Sequence, residues 1–535
     1  MSAETTIKEA PAQPHAAEPT AGAGTWPRVL TDPAGHTLQA ATDRFAQRPL
    51  CWRAGAADGL RVAPRADTLA GPGAALDPQA LLEYLFFHAI PAPRTVFRGV
   101  QRLRAGHQVQ WNGQQARVAP WWRPAFTPAA QGADFAALRQ RFLALLESAV
   151  QRALGPGQPA CFLSGGTDSS TVAGLLQRVT GQAPQAYSIG FDAAGYDEMA
   201  YARLAARRFG VQHHEYYVTP EDLVRHIPQV AAAFDQPFGN SSVLPAYCCA
   251  LQARQGGVQH LLAGDGGDEL FGGNARYAKQ RLFGHYARVP ALLRRGLLEP
   301  VFGLPLVARL PLLKKGASYV EQARVPMPDR LQMGNLLLHL GPQQVLTPGF
   351  LAQVNLQGPL QHQRETWAWA REGCSELNRT LAFDWQYTLA DSDLPKVLGA
   401  TALAGVGVSF PMLDEALLEF SLTLPDDYKL KGLKLRWFFK EALRGFLPDE
   451  IIAKPKHGFG LPFGPWALKH APLRRLAEDS LHGLAGRGMV QPAFIQRLLA
   501  EHLPAHPGYY GEMVWVLMML EQWLQAHAPQ ADFRG

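Results

Sequence analysis

The chain has 535 residues, of which 47% are hydrophobic and 18% charged, with a net charge of +6. That is apolar material for roughly two to four domains, and too mild and scattered a charge for a nucleic-acid binder: the basic residues come in pairs such as Arg294-Arg295 and Lys314-Lys315, not in patches. Five cysteines, odd in number and without a C-x-x-C, argue against a disulfide framework or a zinc site and point to a reducing compartment, the cytoplasm.

Residues 1 to 24 are rich in Ala, Pro, Thr and Glu and read as a disordered tail without a signal-peptide core. From Trp26 to Trp122 short strand-like runs alternate with turn residues. Leu38, Trp52, Leu60 to Val62, Thr95-Val96-Phe97 and Gln108 to Trp111 lie in such runs, and Asn112-Gly113 after the last is a hairpin signal. Gln79 to His88 predicts a helix. Residues 25–124 are thus expected to form a small β-rich domain, followed by a linker at Pro124 to Gly132.

From residue 134 to 530 the pattern predicts a second domain of α/β class. A helix (Phe135 to Ala153) precedes a strand ending at Leu163 and a helix with Val172, Leu175, Leu176 and Val179 on one face. Strands at Gln185 to Phe191, His214 to Val218 and His260 to Ala263 then alternate with helices at Asp197 to Phe209, Glu221 to Phe234 and Leu244 to Gln255. Such alternation predicts a doubly wound parallel sheet with ligands at the carboxyl ends of its strands. Beyond Leu270 the chain reads as a helical C-terminal extension closing with Gly511 to His527, whose Met513, Trp515, Met518 and Met519 are expected in the core. Leu297 to Leu313 is broken by Glu299, Pro300, Pro305, Arg309 and Pro311, so no membrane span is expected.

Three stretches carry chemistry. In Leu163-Ser164-Gly165-Gly166-Thr167-Asp168-Ser169-Ser170 the glycines let backbone N–H groups reach an anion, and the following helix start reinforces them. Asp168 would repel bare phosphate, so its natural task is to hold Mg²⁺ already on phosphate. No Walker A pattern occurs. Ala263-Gly264-Asp265-Gly266-Gly267-Asp268-Glu269 brings two more carboxylates to a strand end. One can complete the Mg²⁺ shell with Asp168, leaving the other for proton transfer. Lys454-Pro455-Lys456-His457-Gly458 is a stiff cationic loop, a candidate for neutralising charge on a phosphate during attack.

Ser-Gly-Gly-x-Asp-Ser-Ser resembles the pyrophosphate loop of the ATP pyrophosphatases. Together with Ser188 to Phe191, Tyr196 to Glu198, Asp235 to Phe238 and Phe410 to Asp414, the three motifs make residues 135 to 526 resemble the synthetase domain of the asparagine synthetase family. The resemblance implies a sheet of the ATP pyrophosphatase type, ATP and Mg²⁺ as cofactors, and activation of a carboxylate as an acyl-adenylate that ammonia or an amine then attacks. It makes Asp168 and Asp268 the metal ligands, Asp265 an acid/base position and Lys456 the cation that stabilises the transition state. Leu163, Ser164, Gly165, Gly166, Asp168, Ser169, Ser170, Ile189, Gly264 and Asp265 would bind ATP.

Two departures qualify the resemblance. Leu76-Asp77-Pro78 through Trp121-Trp122 resembles the later half of the family's N-terminal Ntn-hydrolase-like glutaminase domain, which in glutamine-dependent members starts with a nucleophilic cysteine after the initiator Met. Here Ser2 stands at that position and the first cysteine is Cys51, so a degenerate domain without glutaminase activity is expected. The family also usually has Asp-Arg at Leu398-Gly399 and Glu and Arg at Gly407 and Ser409. Either the substrate pocket or helix packing has changed, and free aspartate is then a less secure substrate. Members without the nucleophile include β-lactam synthetases and lasso peptide cyclases. The leading expectation is an amide-forming ligase taking a small-molecule or peptide carboxylate, with ammonia or an amine, from a separate amidase as one source. No nucleic acid or membrane partner is expected, and the sequence leaves open whether the chain forms a homodimer. Ammonia-dependent asparagine formation and a non-catalytic nucleotide-binding module are the alternatives.

Overall fold

The computed structural model describes residues 26–55, 58–127, 134–302, 311–370, 373–455 and 460–534. The expected tail, most of the expected linker and Lys456 lie outside these residues. Two sheets carry the chain, in a mixed α/β architecture. The N-terminal one is antiparallel, built from β1 (Arg28–Thr31), β2 (Thr37–Ala41), β3 (Cys51–Gly55), β4 (Gly59–Ala63), β5 (Gln101–Arg102), β6 (His107–Trp111) and β7 (Ala116–Pro120). Its order is β5-β3-β4-β2-β6-β7, with β1 added along β2. The expected hairpin joins β6 to β7 through a loop longer than two residues: Asn112 Oδ1 accepts from the Gln114 and Gln115 amides at 3.0 and 2.9 Å, and Gly113 takes φ +91°.

Thr95-Val96-Phe97 is not a strand; Phe97 makes one isolated bridge to Leu76. The Thr95 hydroxyl donates to the Val100 carbonyl at 2.8 Å and accepts from the Phe97 amide at 3.3 Å, folding the segment onto itself. The helix expected at Gln79 to His88 spans Pro78–Phe87, capped by the Asp77 side chain.

The second sheet is wholly parallel: β8 (Ala160–Phe162), β9 (Gln185–Phe191), β10 (Gln212–Val218), β11 (His260–Leu262) and β12 (Gly407–Ser409), in the order β10-β9-β8-β11-β12. The chain moves outward from β8 to β10 through the helices Thr167–Thr180 and Met199–Phe209, then returns to the other side of β8 for β11. That reversal opens a crevice at the carboxyl ends of β8 and β11, where the first two chemical loops leave the sheet. β12 is too short for an alternating pattern to reveal it.

Beneath the crevice, Phe142 meets Phe271 at 5.2 Å and Phe439 at 5.5 Å between ring centroids, a rigid aromatic floor. The C-terminal helix, Pro507–His527, runs through the core, with Met513, Trp515, Met518 and Met519 buried as expected. It also reaches the N-terminal region: Tyr84 donates to the Val516 carbonyl at 2.8 Å, and Phe97 packs 6.1 Å from Trp523. The two parts of the chain therefore share one core. Among the described residues no helix is long and apolar enough to cross a membrane.

Candidate functional site

β8 passes through residues 163–166 into the helix Thr167–Thr180, whose N-cap is Gly166 in extended backbone. Two serines shape this loop. The Ser164 amide donates to Ser169 Oγ at 3.1 Å, the two hydroxyls lie 3.0 Å apart, and the Gly166 amide points at Ser164 Oγ at 3.4 Å. Gly165 has φ +72°, and a Cβ there would overlap the Ala202 amide. Its glycine lets the helix Met199–Phe209 press on the loop. Ser170 is fully buried, and its Oγ has no hydrogen-bond partner among the described residues. Gly165 and Ser170 were both expected to touch ATP. Neither lines the cavity; one is taken up by helix packing and the other faces inward on the helix.

The loop after β11 touches the first loop directly. A Cβ on Gly264 would sit 2.8 Å from the Ser169 amide and 3.0 Å from the Asp168 carbonyl carbon, both backbone atoms with no rotamer to yield. Gly264→Ala is therefore expected to push the loops apart, lowering stability by about 1–3 kcal/mol and abolishing nucleotide binding. Urea midpoints and nucleotide titration check this; wild-type nucleotide affinity in the variant would count against it.

Sequence reasoning missed the residue that joins these loops. Arg436 follows the hairpin of Leu430–Lys431 with Lys434–Leu435 and holds left-handed backbone at φ +53°, which for a non-glycine residue costs on the order of 1 kcal/mol. Its Nη1 donates to Asp168 Oδ2 at 2.6 Å, Asp268 Oδ1 at 2.8 Å and Thr167 Oγ1 at 3.1 Å, and its Nη2 donates to Asp168 Oδ1. The side chain is 4% exposed, and the guanidinium lies 3.9 Å from the Phe439 ring centroid, on the aromatic floor. The basic run Lys431, Lys434 and Arg436 was its only signal in the sequence.

Around these groups lies a cavity of about 640 Å³. Leu163, Ser164, Gly166, Asp168, Ser169, Ile189, Gly264, Asp265 and Asp268, all expected at the site, line it. Lys454 lines it too, paired with Glu198 at 2.9 Å and 4.6 Å from the Tyr201 ring centroid. Lys456 lies outside the described residues.

Asp265 faces Lys396 at 3.4 Å, and Lys396 is also 3.1 Å from Asp393. Burial pushes the Asp265 carboxyl up against the opposing pull of Lys396. Burial pulls Lys396 down, but Asp393 and Asp265 outweigh it and keep the ammonium charged. An acid/base role for Asp265 would therefore pass through a carboxylate already engaged by a cation.

Glu269 lines the same wall, and burial, helped by Asp393, pushes its carboxyl from the ordinary 4.5 up to about 8. Between those values the folded chain binds more protons than the unfolded one, so this group makes stability fall as pH rises through that window. Glu269→Gln is expected to flatten that fall and to exceed wild type in stability at high pH. Urea midpoints across the window test it; parallel slopes for the two proteins would contradict it.

The donor set fits a hard divalent cation. Among the described residues no cluster of three or more His, Cys, Asp or Glu could hold a metal alone. Asp168 and Asp268, however, converge on one positive centre, have side chains 20% and 21% exposed, and leave the remaining coordination positions to phosphate oxygens.

The four neutral positions lie away from this chemistry, since none lines the cavity. A Cβ on Gly399 would overlap the Phe234 ring, and one on Gly407 would come 2.6 Å from His260 Nδ1. His260 Nε2 and Ser409 Oγ are 2.9 Å apart, and Leu398 faces Arg102 and Arg104 of the N-terminal region. Gly399 and Gly407 are thus held by close helix and strand packing, and none of the four borders the cavity.

Comparison with known proteins places the chain in a family. Residues 141–525 match the family model described as asparagine synthase, and residues 19–122 match a glutamine amidotransferase domain. The chain is 23% identical to an asparagine synthetase (glutamine-hydrolyzing) of Bacillus subtilis, over 91% of its own length and 75% of the relative's. It is 24% identical to a putative asparagine synthetase (glutamine-hydrolyzing) of Mycobacterium bovis, over 92% and 75%. A third similar protein, from Methanocaldococcus jannaschii and also named a putative asparagine synthetase (glutamine-hydrolyzing), is 31% identical over 39% of this chain and 41% of its own.

Proposed function

The chain belongs to the asparagine synthase family of ATP-dependent carbon–nitrogen ligases, and from that premise we propose its reaction: a substrate carboxylate attacks the α-phosphate of ATP, pyrophosphate leaves, and ammonia or an amine displaces AMP from the acyl-adenylate. The observation that carries this reading is the convergence of Asp168 and Asp268, from two strand ends, on one cation beside the serine loop. In this reading the parallel sheet is of the ATP pyrophosphatase type, and residues 134–530 form the synthetase domain.

Asp168 and Asp268 hold the Mg²⁺ that accompanies ATP, which neutralises phosphate charge when bound. The loop amides and the Ser164 and Ser169 hydroxyls cradle the phosphates, and Ile189 offers an apolar surface to the adenine. Lys456 is the cation assigned to charge developing at the α-phosphate. Asp265, with Lys396, faces the carboxylate end of the cavity.

We further propose that the N-terminal region, residues 25–124, hydrolyses no glutamine. Cys51 is its single cysteine and is 1% exposed inside β3, and burial with Asp235 nearby pushes its thiol far up, so no thiolate is available there. The amine then comes from solution or from a separate amidase, to a cytoplasmic enzyme acting as a homodimer.

ATP–pyrophosphate exchange with a panel of carboxylic acids that includes aspartate tests the first half. Exchange with at least one acid, and release of pyrophosphate instead of phosphate, is expected; phosphate release, or no exchange with any acid, would refute it. With the active acid in hand, ammonia is expected to support amide formation and glutamine alone is not.

A further inference from the structure

The helix that continues unbroken through Ala291–Leu293, Arg294–Leu298 and Glu299–Phe302 carries apolar residues both packed and exposed. Inward, Leu298 and Phe302 pack on the cluster of Phe283, Tyr286, Val320 and Ala323. On the same helix Leu292, Leu293, Leu297 and Val301 stand exposed, outside that inner cluster among the described residues. Leu292 is 88% exposed, Leu297 54%, Leu293 50% and Val301 40%. Leucines this exposed and this close together mark a contact surface.

The exposed charge of this stretch is cationic. Arg288 and Arg295 are exposed within a few residues of the leucines in sequence, and Lys314 and Lys315 are exposed on the next described helix, Pro311–Arg324, which packs on this one. Glu299, the acid of this helix, is engaged elsewhere: its Oε1 accepts from the Tyr286 hydroxyl at 3.2 Å and its Oε2 lies 3.5 Å from Arg324. The exposed leucines therefore have a cationic rim in Arg288 and Arg295, with two further lysines on the adjoining helix.

We propose that this face docks on the surface of an anionic lipid bilayer, with the leucines entering the headgroup boundary and the arginines and lysines meeting lipid phosphates. The charge selects this occupant. A two-fold contact with a second copy sets the same patch against itself, and here that would bring the cationic rims together. The helix is twelve residues long, which is about 18 Å against a hydrocarbon core of about 30 Å, so it lies on the bilayer and does not cross it. The inference is independent of the reaction proposed above, and it replaces the expectation that no membrane takes part.

Flotation of the full chain with vesicles of phosphatidylcholine, with and without phosphatidylglycerol, tests it. The chain is expected to float with the anionic vesicles only, and to be released by high salt. The double variant Leu292→Glu, Leu297→Glu is expected to bind at least about tenfold more weakly, with an unchanged thermal midpoint and unchanged ATP–pyrophosphate exchange. Failure to float with anionic vesicles would overturn the proposal. So would a dimer in sedimentation velocity that the double variant splits, since a second copy would then be the occupant.

Discussion

Asp168→Asn and Asp268→Asn are each expected to lower ATP–pyrophosphate exchange on the order of 10²–10³-fold, because each removes one of two charged oxygen donors from the ion that accompanies ATP. The fold should survive either change. An asparagine oxygen still accepts from Arg436, and both side chains remain partly open to the cavity. The two variants are expected to fall together, with similar losses, because the Arg436 guanidinium gathers both carboxylates at one place, where a single ion would take both. Exchange rates at saturating ATP across a Mg²⁺ titration measure this. A variant within about threefold of wild type would remove that carboxylate from the metal and, with it, the main support for the proposed reaction.

Arg436→Gln is expected to act in the opposite sense on stability and metal response. Without the guanidinium, Asp168 and Asp268 face each other with no cation between them. Losing one partner of a buried pair costs about 3–5 kcal/mol; with both carboxylates a fifth exposed, a discounted loss of about 2 kcal/mol is expected. Mg²⁺ should then raise the thermal midpoint of the variant more than that of wild type, because the dication supplies the countercharge that the guanidinium no longer gives the two carboxylates. Lysine should not restore the wild-type pattern, since its point charge cannot span both carboxylates as the planar fork does. Equal Mg²⁺ shifts in both proteins would show that Arg436 does not guard the metal position.

The two glycine-rich loops were legible because their polar residues are local. Glycines, hydroxyls and carboxylates crowd the few residues after β8 and β11, and a strand-to-helix turn has no other use for so many polar groups. Long-range pairing left no such trace. Arg436 meets Asp168 across 268 positions and Lys396 meets Asp265 across 131, and nothing near either cation announces its partner. Motif membership also left the surroundings of single residues unread: at Gly165 a neighbouring helix packs closely, and Ser170 is buried on its own helix. At Leu398, Gly399, Gly407 and Ser409 the residues alone left a changed pocket and changed packing open, because the neighbours of the two glycines, Phe234 and His260, are remote in sequence. At Thr95 to Phe97, β-branched and aromatic residues suggested a strand until a single hydroxyl offered the backbone another partner.

The hydrogen bond from Tyr84 to the Val516 carbonyl ties one of the first elements made during synthesis to one of the last. While the chain emerges from the ribosome, the Pro78–Phe87 helix waits for more than four hundred residues with its apolar side uncovered. Its final packing arrives only with the segment from Pro507 to His527. Whatever its chemistry, the N-terminal region is not dispensable to the fold: cutting it away would uncover part of the wall against which the last helix closes.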